Sequence, residues 1–89
     1  MPSLPSLEQK LKAVASARRL RILQFLKKTR GATVIGIAKA LRMQHQATSK
    51  HLQILVHARL VTRRRRGLYA AYRISLPQAQ PIRQVLALL

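Results

Sequence analysis

The balance of charge is the feature that most limits what this chain can fold into. Glu8 is the only acidic residue among 89, against eighteen Lys and Arg, so the formal net charge is +17. Apolar residues make up 48% of the chain, which is too much for a disordered basic tail. We therefore expect one folded domain with a strongly positive exterior. Such an exterior indicates a polyanionic partner, most commonly nucleic acid, with an anionic membrane surface as the weaker alternative.

The same composition excludes several kinds of functional site. One carboxylate cannot form an acid–base carboxylate pair, an EF-hand loop or a two-metal site. The chain contains no cysteine, which excludes disulfides, a thiolate nucleophile and a cysteine-based zinc site. His45, His51 and His57 are six residues apart, whereas helical metal ligands are spaced i, i+4. With no carboxylate to orient a histidine either, we expect no enzyme, no cofactor and no metal.

Targeting signals are not evident in the sequence. No apolar run approaches the length of about 20 residues that a membrane span needs. The first residues lack the basic and then apolar layout of a signal peptide. We expect a cytoplasmic, nucleoid-associated protein with no membrane partner.

Apolar periodicity and turn residues predict five helices and one hairpin. Ser6 and Gln9 fit a capping box, Ser16 and Thr33 fit N-caps, and Gly31 permits the chain to leave a helix. The predicted helices cover residues 6–15, 17–28, 33–41, 44–58 and 78–89, and the hairpin covers residues 60–75.

The hairpin contains four consecutive arginines followed by Gly67. Because alternate residues of a strand face opposite sides, the first and third arginines cannot share a face with the second and fourth. One pair of alternate arginines is expected along a phosphate backbone. Separately, the two adjacent arginines next to the turn, Arg65 and Arg66, could reach an adjacent minor groove. The four residues are Arg63, Arg64, Arg65 and Arg66.

The order of these elements resembles the ArsR/SmtB-type family of bacterial and archaeal repressors. The second-helix signature of that family is similar to ASARRLRILQFL, residues 15–26. Its helix-turn-helix is similar to ALRMQHQATSKHLQILVHARLV, residues 40–61. The resemblance covers about residues 10–75. It implies a mainly α fold with a small β-hairpin, a winged helix-turn-helix that dimerises.

Several residues depart from the family pattern. Gly36 and Lys39 stand where the third helix usually has glutamates, and Arg59 replaces the glycine that usually ends the recognition helix. That position normally needs a left-handed backbone, which costs a non-glycine residue about 1 kcal/mol. The cysteine ligands of the family's metal sensors, and the Asp and His ligands of their last helix, have no counterparts here. The resemblance therefore implies a member without the metal site.

The fourth predicted helix supplies the candidate base-reading residues. The resemblance places the matching positions against double-stranded DNA, where Gln can bond adenine and Lys prefers guanine. The alternative is an ordinary amphipathic surface helix beside a solvated run of charge. The predicted DNA contacts are Gln44, His45, Gln46, Ser49, Lys50 and Gln53 in the helix and Arg63, Arg64, Arg65 and Arg66 in the hairpin.

The first and last predicted helices carry apolar stripes, which the resemblance pairs across a two-fold axis. The alternative is that these stripes pack back onto the core of their own chain. A two-fold dimer would present two recognition helices to an imperfect palindrome. The predicted interface residues are Leu7, Leu11, Val14, Ile82, Val85, Leu86 and Leu89.

Taken together, these features predict a homodimeric transcriptional repressor, and repression rather than activation comes from the resemblance alone. Two other functions stay open. One is an architectural, nucleoid-like protein that coats DNA through counter-ion release with little sequence preference. The other is a basic RNA- or ribosome-binding protein, although no RNA-module signature is present.

Overall fold

A computed structural model describes residues 3–89 of the chain. The order of helices and strands in this part confirms the predicted winged helix-turn-helix, with one short strand added. That added strand, the first in the chain, pairs with the last strand and makes a three-stranded antiparallel sheet. The elements are α1 (Leu4–Val14), α2 (Ala17–Thr29), β1 (Ala32–Thr33), α3 (Val34–Leu41), α4 (His45–His57), β2 (Val61–Arg66), β3 (Tyr69–Ile74) and α5 (Ile82–Leu88).

The first helix begins earlier than predicted. Ser3 is the N-cap, and its hydroxyl accepts a hydrogen bond from the Ser6 amide at 3.3 Å. Pro5 lies in the first turn, where its fixed φ suits the helix and its missing N–H is not needed. The capping box that we predicted for Ser6 and Gln9 is therefore wrong.

The last helix begins later than predicted, at Ile82 rather than at residue 78. Pro81 is its N-cap, and the preceding segment is held by the buried side chain of Gln78. The Gln78 amide nitrogen donates to the carbonyls of Ser75 at 2.7 Å and Arg59 at 3.0 Å. Its amide oxygen accepts from Lys10 Nζ at 2.9 Å.

Apolar packing, rather than ion pairing, holds the fold together. Glu8 lies 3.9 Å from Lys12 in an exposed pair, and such pairs contribute about 0–1 kcal/mol. The core instead joins side chains from α1, α2, α3, α4, α5, the start of β2 and β3. The largest fully buried apolar residues are Ile22, Leu23, Leu26, Ile37, Leu52, Leu55, Leu60 and Ile82.

The uncompensated charge predicts an unusual response of stability to salt. At +17 the folded chain repels itself, and salt screens that repulsion. We expect Tm to rise when NaCl increases from 20 to 500 mM. A gain on the order of 1 kcal/mol corresponds to about 4–8 °C for a domain of this size. A Tm that falls, in a calorimetric scan of the free protein, would contradict this account.

Three arginines occupy left-handed backbone positions at helix ends. Arg30, Arg42 and Arg59 have φ of 61°, 53° and 60°, and they follow α2, α3 and α4. At the end of α4 the Arg59 amide donates to the Val56 carbonyl and the Leu60 amide to the Leu55 carbonyl. These two bonds form a Schellman motif, which normally uses glycine. The left-handed conformation that we predicted for Arg59 is thus present.

Replacing Arg59 with glycine should therefore stabilise the protein. We expect R59G to exceed R59A in free energy of unfolding by about 1 kcal/mol, because both lose the charge but only glycine relieves the left-handed strain. Urea denaturation of the two variants and of R59K provides the comparison. Equal stability of R59G and R59A would show that this backbone position carries no strain.

Candidate nucleic-acid interface

The orientation of α4 is set by one buried face. Thr48, Leu52 and Leu55 recur at helical spacing and are buried, which turns the other side of the helix outward. The Thr48 hydroxyl donates to the Gln44 carbonyl at 2.8 Å, so this buried polar group is satisfied. Five of the six predicted contact residues of this helix are exposed and Ser49 is half-buried; the five are Gln44, His45, Gln46, Lys50 and Gln53.

The strand register divides the four arginines into two pairs. Arg63 lies opposite Tyr72, and Arg63 Nε donates to the Tyr72 hydroxyl at 3.2 Å. Since Tyr72 is buried, Arg63 and Arg65 leave β2 on the side that faces the core. Arg64 and Arg66 leave it on the outer side. The guanidinium of Arg65 is also held near the turn, where Nε donates to the Gly67 carbonyl at 3.3 Å.

A further arginine on the outer side of the hairpin was missed by the sequence analysis. Arg73 pairs with Thr62, so it shares the outer face of the sheet with Arg64 and Arg66. The two-residue turn at Gly67 and Leu68 fixes this register. Alternate residues on each side of that turn share one face of the hairpin, so the sequence alone could have placed Arg73 on the same face as Arg64 and Arg66.

Arg19 joins α1 and α2 to α4. Its Nε donates to the Ala13 carbonyl at 2.6 Å, and its Nη2 donates to the Lys12 carbonyl at 3.1 Å. Both carbonyls belong to the last turn of α1, where a cation is favourable. Arg19 Nη1 lies 3.2 Å from His51 Nδ1 on α4. Because a guanidinium can only donate, His51 Nδ1 is the acceptor and the imidazole is neutral in this arrangement.

Burial, followed by the charges of Arg19 and Arg18, lowers the pKa of His51 below its ordinary value. The unfolded chain therefore binds this proton more readily than the folded chain. The contribution of neutral His51 to the free energy of unfolding is fully present above the ordinary histidine pKa of about 6.5. This contribution decreases as the pH falls below that value.

We expect the free energy of unfolding to decrease between pH 7.5 and pH 5.5, and to decrease less in His51→Gln. Urea denaturation at both pH values measures this effect, with His57→Gln, on an exposed histidine of the same helix, as the control. The interpretation fails if H51Q and the wild type lose the same stability on acidification.

The structure places the predicted dimer residues in three different environments. Val14, Ile82 and Leu86 are buried in the core of their own chain. Leu7, Val85 and Leu89 are half-buried, and Leu11 is 43% exposed.

Two exposed leucines extend the apolar faces of the terminal helices. Leu4 is 79% exposed on α1 and Leu88 is 76% exposed on α5. A shallow groove of about 640 Å³ runs along the outer face of α1, lined by Leu4, Leu7 and Leu11 among others. This face of α1 has the apolar character of an interface.

Two other features are absent from residues 3–89. No helix in this range is long and apolar enough to cross a membrane. In the same range no three His, Cys, Asp or Glu side chains are grouped so that they could hold a metal ion.

The sequence and the fold both match known proteins. A family model described as a helix-turn-helix domain matches residues 14–64. A solved homodimeric winged helix-turn-helix domain, Mb0332 from Mycobacterium bovis, is described as a possible ArsR-family transcriptional regulator. It is 34% identical to this chain, with a TM-score of 0.81, over 96% of this chain and 75% of that one. This chain belongs to the ArsR family.

Other ArsR-type structures are similar over nearly the whole chain. Reduced HlyU from Vibrio cholerae is 28% identical, with a TM-score of 0.79, over 96% of this chain and 85% of that one. The transcriptional repressor PagR of Bacillus anthracis is 27% identical, with a TM-score of 0.76, over 97% and 98%. Among curated proteins no sequence matches. The ArsR family consists of DNA-binding transcription regulators and not of enzymes, so the expectation of a DNA-binding regulator is confirmed at that level.

Proposed function

We propose that this ArsR-type protein is a transcriptional repressor that binds a palindromic operator as a homodimer. The observation that carries the proposal is the outer surface of α4, where Gln44, His45, Gln46, Lys50 and Gln53 are exposed together. The chain passes directly from this helix into the arginine strand β2. The single acidic side chain lies on α1 and not on either element.

In this proposal the two elements have different tasks. Gln46, Ser49 and Lys50 lie in the first half of α4 and contact base edges in the major groove, where Gln and Lys distinguish adenine and guanine. The arginines of the hairpin contact phosphates or the neighbouring minor groove, which positions the protein without specifying sequence. Arg63 is a structural support for the hairpin as well, since it bonds to Tyr72.

The proposed dimer is built on the outer face of α1 and on the flank of α5 that carries Val85 and Leu88. Leu4 and Leu11 are exposed there in the single chain, and burying them in a partner would remove apolar surface from water. The homodimeric state of Mb0332 supports a dimer, and the description of PagR as a transcriptional repressor supports repression. Because its ligand is DNA, the protein is proposed to act in the cytoplasm, at the nucleoid.

One alternative function is favoured by a specific observation. A net charge of +17 on 89 residues suits an architectural protein that coats DNA by releasing counter-ions. That function needs no paired half-sites in the DNA and no base-contacting residues on α4.

Selection of bound duplexes from a random library distinguishes the two functions. A repressor of the proposed kind enriches an inverted repeat whose half-sites are about one helical turn, about 10 base pairs, apart. In transcription from a promoter carrying that repeat, the protein should lower the yield of transcript. Enrichment of no motif would favour the architectural function, and enrichment of a single unrepeated half-site would contradict the two-fold dimer.

A further inference from the structure

A cleft of about 590 Å³ opens beside the base of the hairpin, between the end of α2, the end of β3 and α5. Its volume falls in the range of pockets that hold small organic ligands. Neither the proposed DNA contacts of α4 nor the exposed leucines of α1 line it. Its role is therefore not explained by the proposed function.

The floor of the cleft is apolar. Leu26 and Leu86 are buried core residues that line the cleft, and Ile74, which is half-buried, lines it as well. Leu76 and Ala87 complete the apolar lining near the mouth. A phosphate group of DNA is strongly hydrated and gains nothing from such a floor, whereas a hydrocarbon or aromatic group gains by leaving water.

Four cations surround this floor: Lys27, Arg30, Arg73 and Arg83. Lys27 Nζ donates to the Leu86 carbonyl at 2.9 Å, which holds the end of α5 against α2. The three arginines are exposed at the rim. The one acid of the chain, Glu8, lines the groove on α1 instead. The positive charge of the cleft is therefore uncompensated by any side chain.

We propose that this cleft binds an amphipathic organic anion, a carboxylate carried on an aliphatic or aromatic body. The body lies on Leu26, Ile74 and Leu86, and the carboxylate pairs with the guanidinium groups of Arg73 and Arg83. Arginine suits this task because its planar group bonds a carboxylate through two parallel hydrogen bonds.

The cleft stays accessible in the proposed dimer. Successive residues of a helix are about 100° apart, so Arg83 and Ala87 lie on one flank of α5. Val85 and the exposed Leu88 lie on the other flank, which is the side assigned to the partner chain. A ligand in the cleft and a second copy of the chain can therefore be bound together.

Binding of the anion also has a consequence that rests on the proposed function. Arg73 lines the cleft and shares the outer face of the hairpin with Arg64 and Arg66. A carboxylate that neutralises Arg73 removes part of the positive field that attracts phosphates. The bound anion therefore lowers the affinity of the protein for DNA, as an inducer does.

Calorimetric titration of the free protein with decanoate, kept below the concentration at which it aggregates, tests the site without DNA. We expect saturable binding of one decanoate per chain. Replacing the two arginines that pair with the carboxylate, in R73Q/R83Q, should weaken binding by about tenfold or more. R64Q/R66Q removes the same charge from the hairpin outside the cleft and should bind decanoate like the wild type. A87W, which fills the cleft and keeps every charge, should also bind weakly.

Two further ligands test the length of the alkyl group and the chemistry of the head group. Octanoate should bind more weakly than decanoate by about fourfold for each buried methylene that is lost. Inorganic phosphate should bind far more weakly than decanoate. Absence of saturable binding, equal effects of R73Q/R83Q and R64Q/R66Q, or phosphate binding as tight as decanoate would each overturn the proposal. Because these readouts use no DNA, their failure leaves the proposed repressor function untouched, and failure of operator binding leaves the site untouched.

Discussion

Replacing Arg65 and Arg66 with glutamine should weaken binding to every DNA duplex by on the order of tenfold to a hundredfold at physiological salt. The two side chains lie next to the hairpin turn, where their charge is exposed. Each phosphate contact releases condensed counter-ions, so the slope of log affinity against log salt should become shallower by about two. Fluorescence anisotropy over a salt series measures both quantities.

Two controls separate local contacts from the general effect of charge. R18Q/K28Q removes two exposed charges from α2 and should change affinity much less than R65Q/R66Q. Gln46→Ala should weaken binding to the selected operator by about 1–3 kcal/mol and leave binding to random DNA almost unchanged. If all three variants act alike on every duplex, the division between reading and anchoring residues is wrong.

Placing two carboxylates on the outer face of α1 should separate the protein into single chains. Leu4 and Leu11 are both exposed in the protomer, so L4E/L11E leaves its core intact. The charged groups would have to be buried without partners in a dimer, which costs several kcal/mol. Sedimentation velocity should show a monomer.

The affinity of L4E/L11E for a full palindrome should then fall toward its affinity for one half-site, closing a gap of about 10²–10⁴-fold. The ratio of the two affinities is the readout, because the added acids weaken binding to both duplexes. I35E/L76E introduces the same charge at exposed apolar positions outside α1 and should remain dimeric. A dimeric L4E/L11E would place the interface elsewhere.

The starts of two helices were predicted correctly because a single side chain, the N-cap, bonds to the backbone there. Ser16 and Thr33 are the N-caps of α2 and α3, and their hydroxyls accept from the Arg19 and Gly36 amides. The fourth helix also lies where its pattern indicated, because its apolar residues recur at helical spacing. The hairpin turns at Gly67, as the glycine between two strand-forming segments indicated. The left-handed position of Arg59 was predictable because the resembled family has glycine there.

The sequence was least informative where a distant contact decides the outcome. The start of α5 depends on Gln78, whose partners Lys10 and Arg59 are far away in the sequence. The burial of Val14, Ile82 and Leu86 depends on which side of each terminal helix meets the core, and an apolar stripe alone does not distinguish the core from a partner chain. The cleft beside the hairpin combines α2, β3 and α5, so no local pattern could have indicated it.

The most direct test of the proposed function is competition between two labelled duplexes, the selected inverted repeat and a shuffled duplex of equal composition, across a range of salt concentrations. A sequence-specific repressor should prefer the repeat by about 10³-fold or more at physiological salt. That ratio should vary with salt far less than either affinity does, because the phosphate contacts are common to both duplexes. A ratio near one, with equally steep salt dependence on both duplexes, would contradict the account and identify a protein that coats DNA by charge alone.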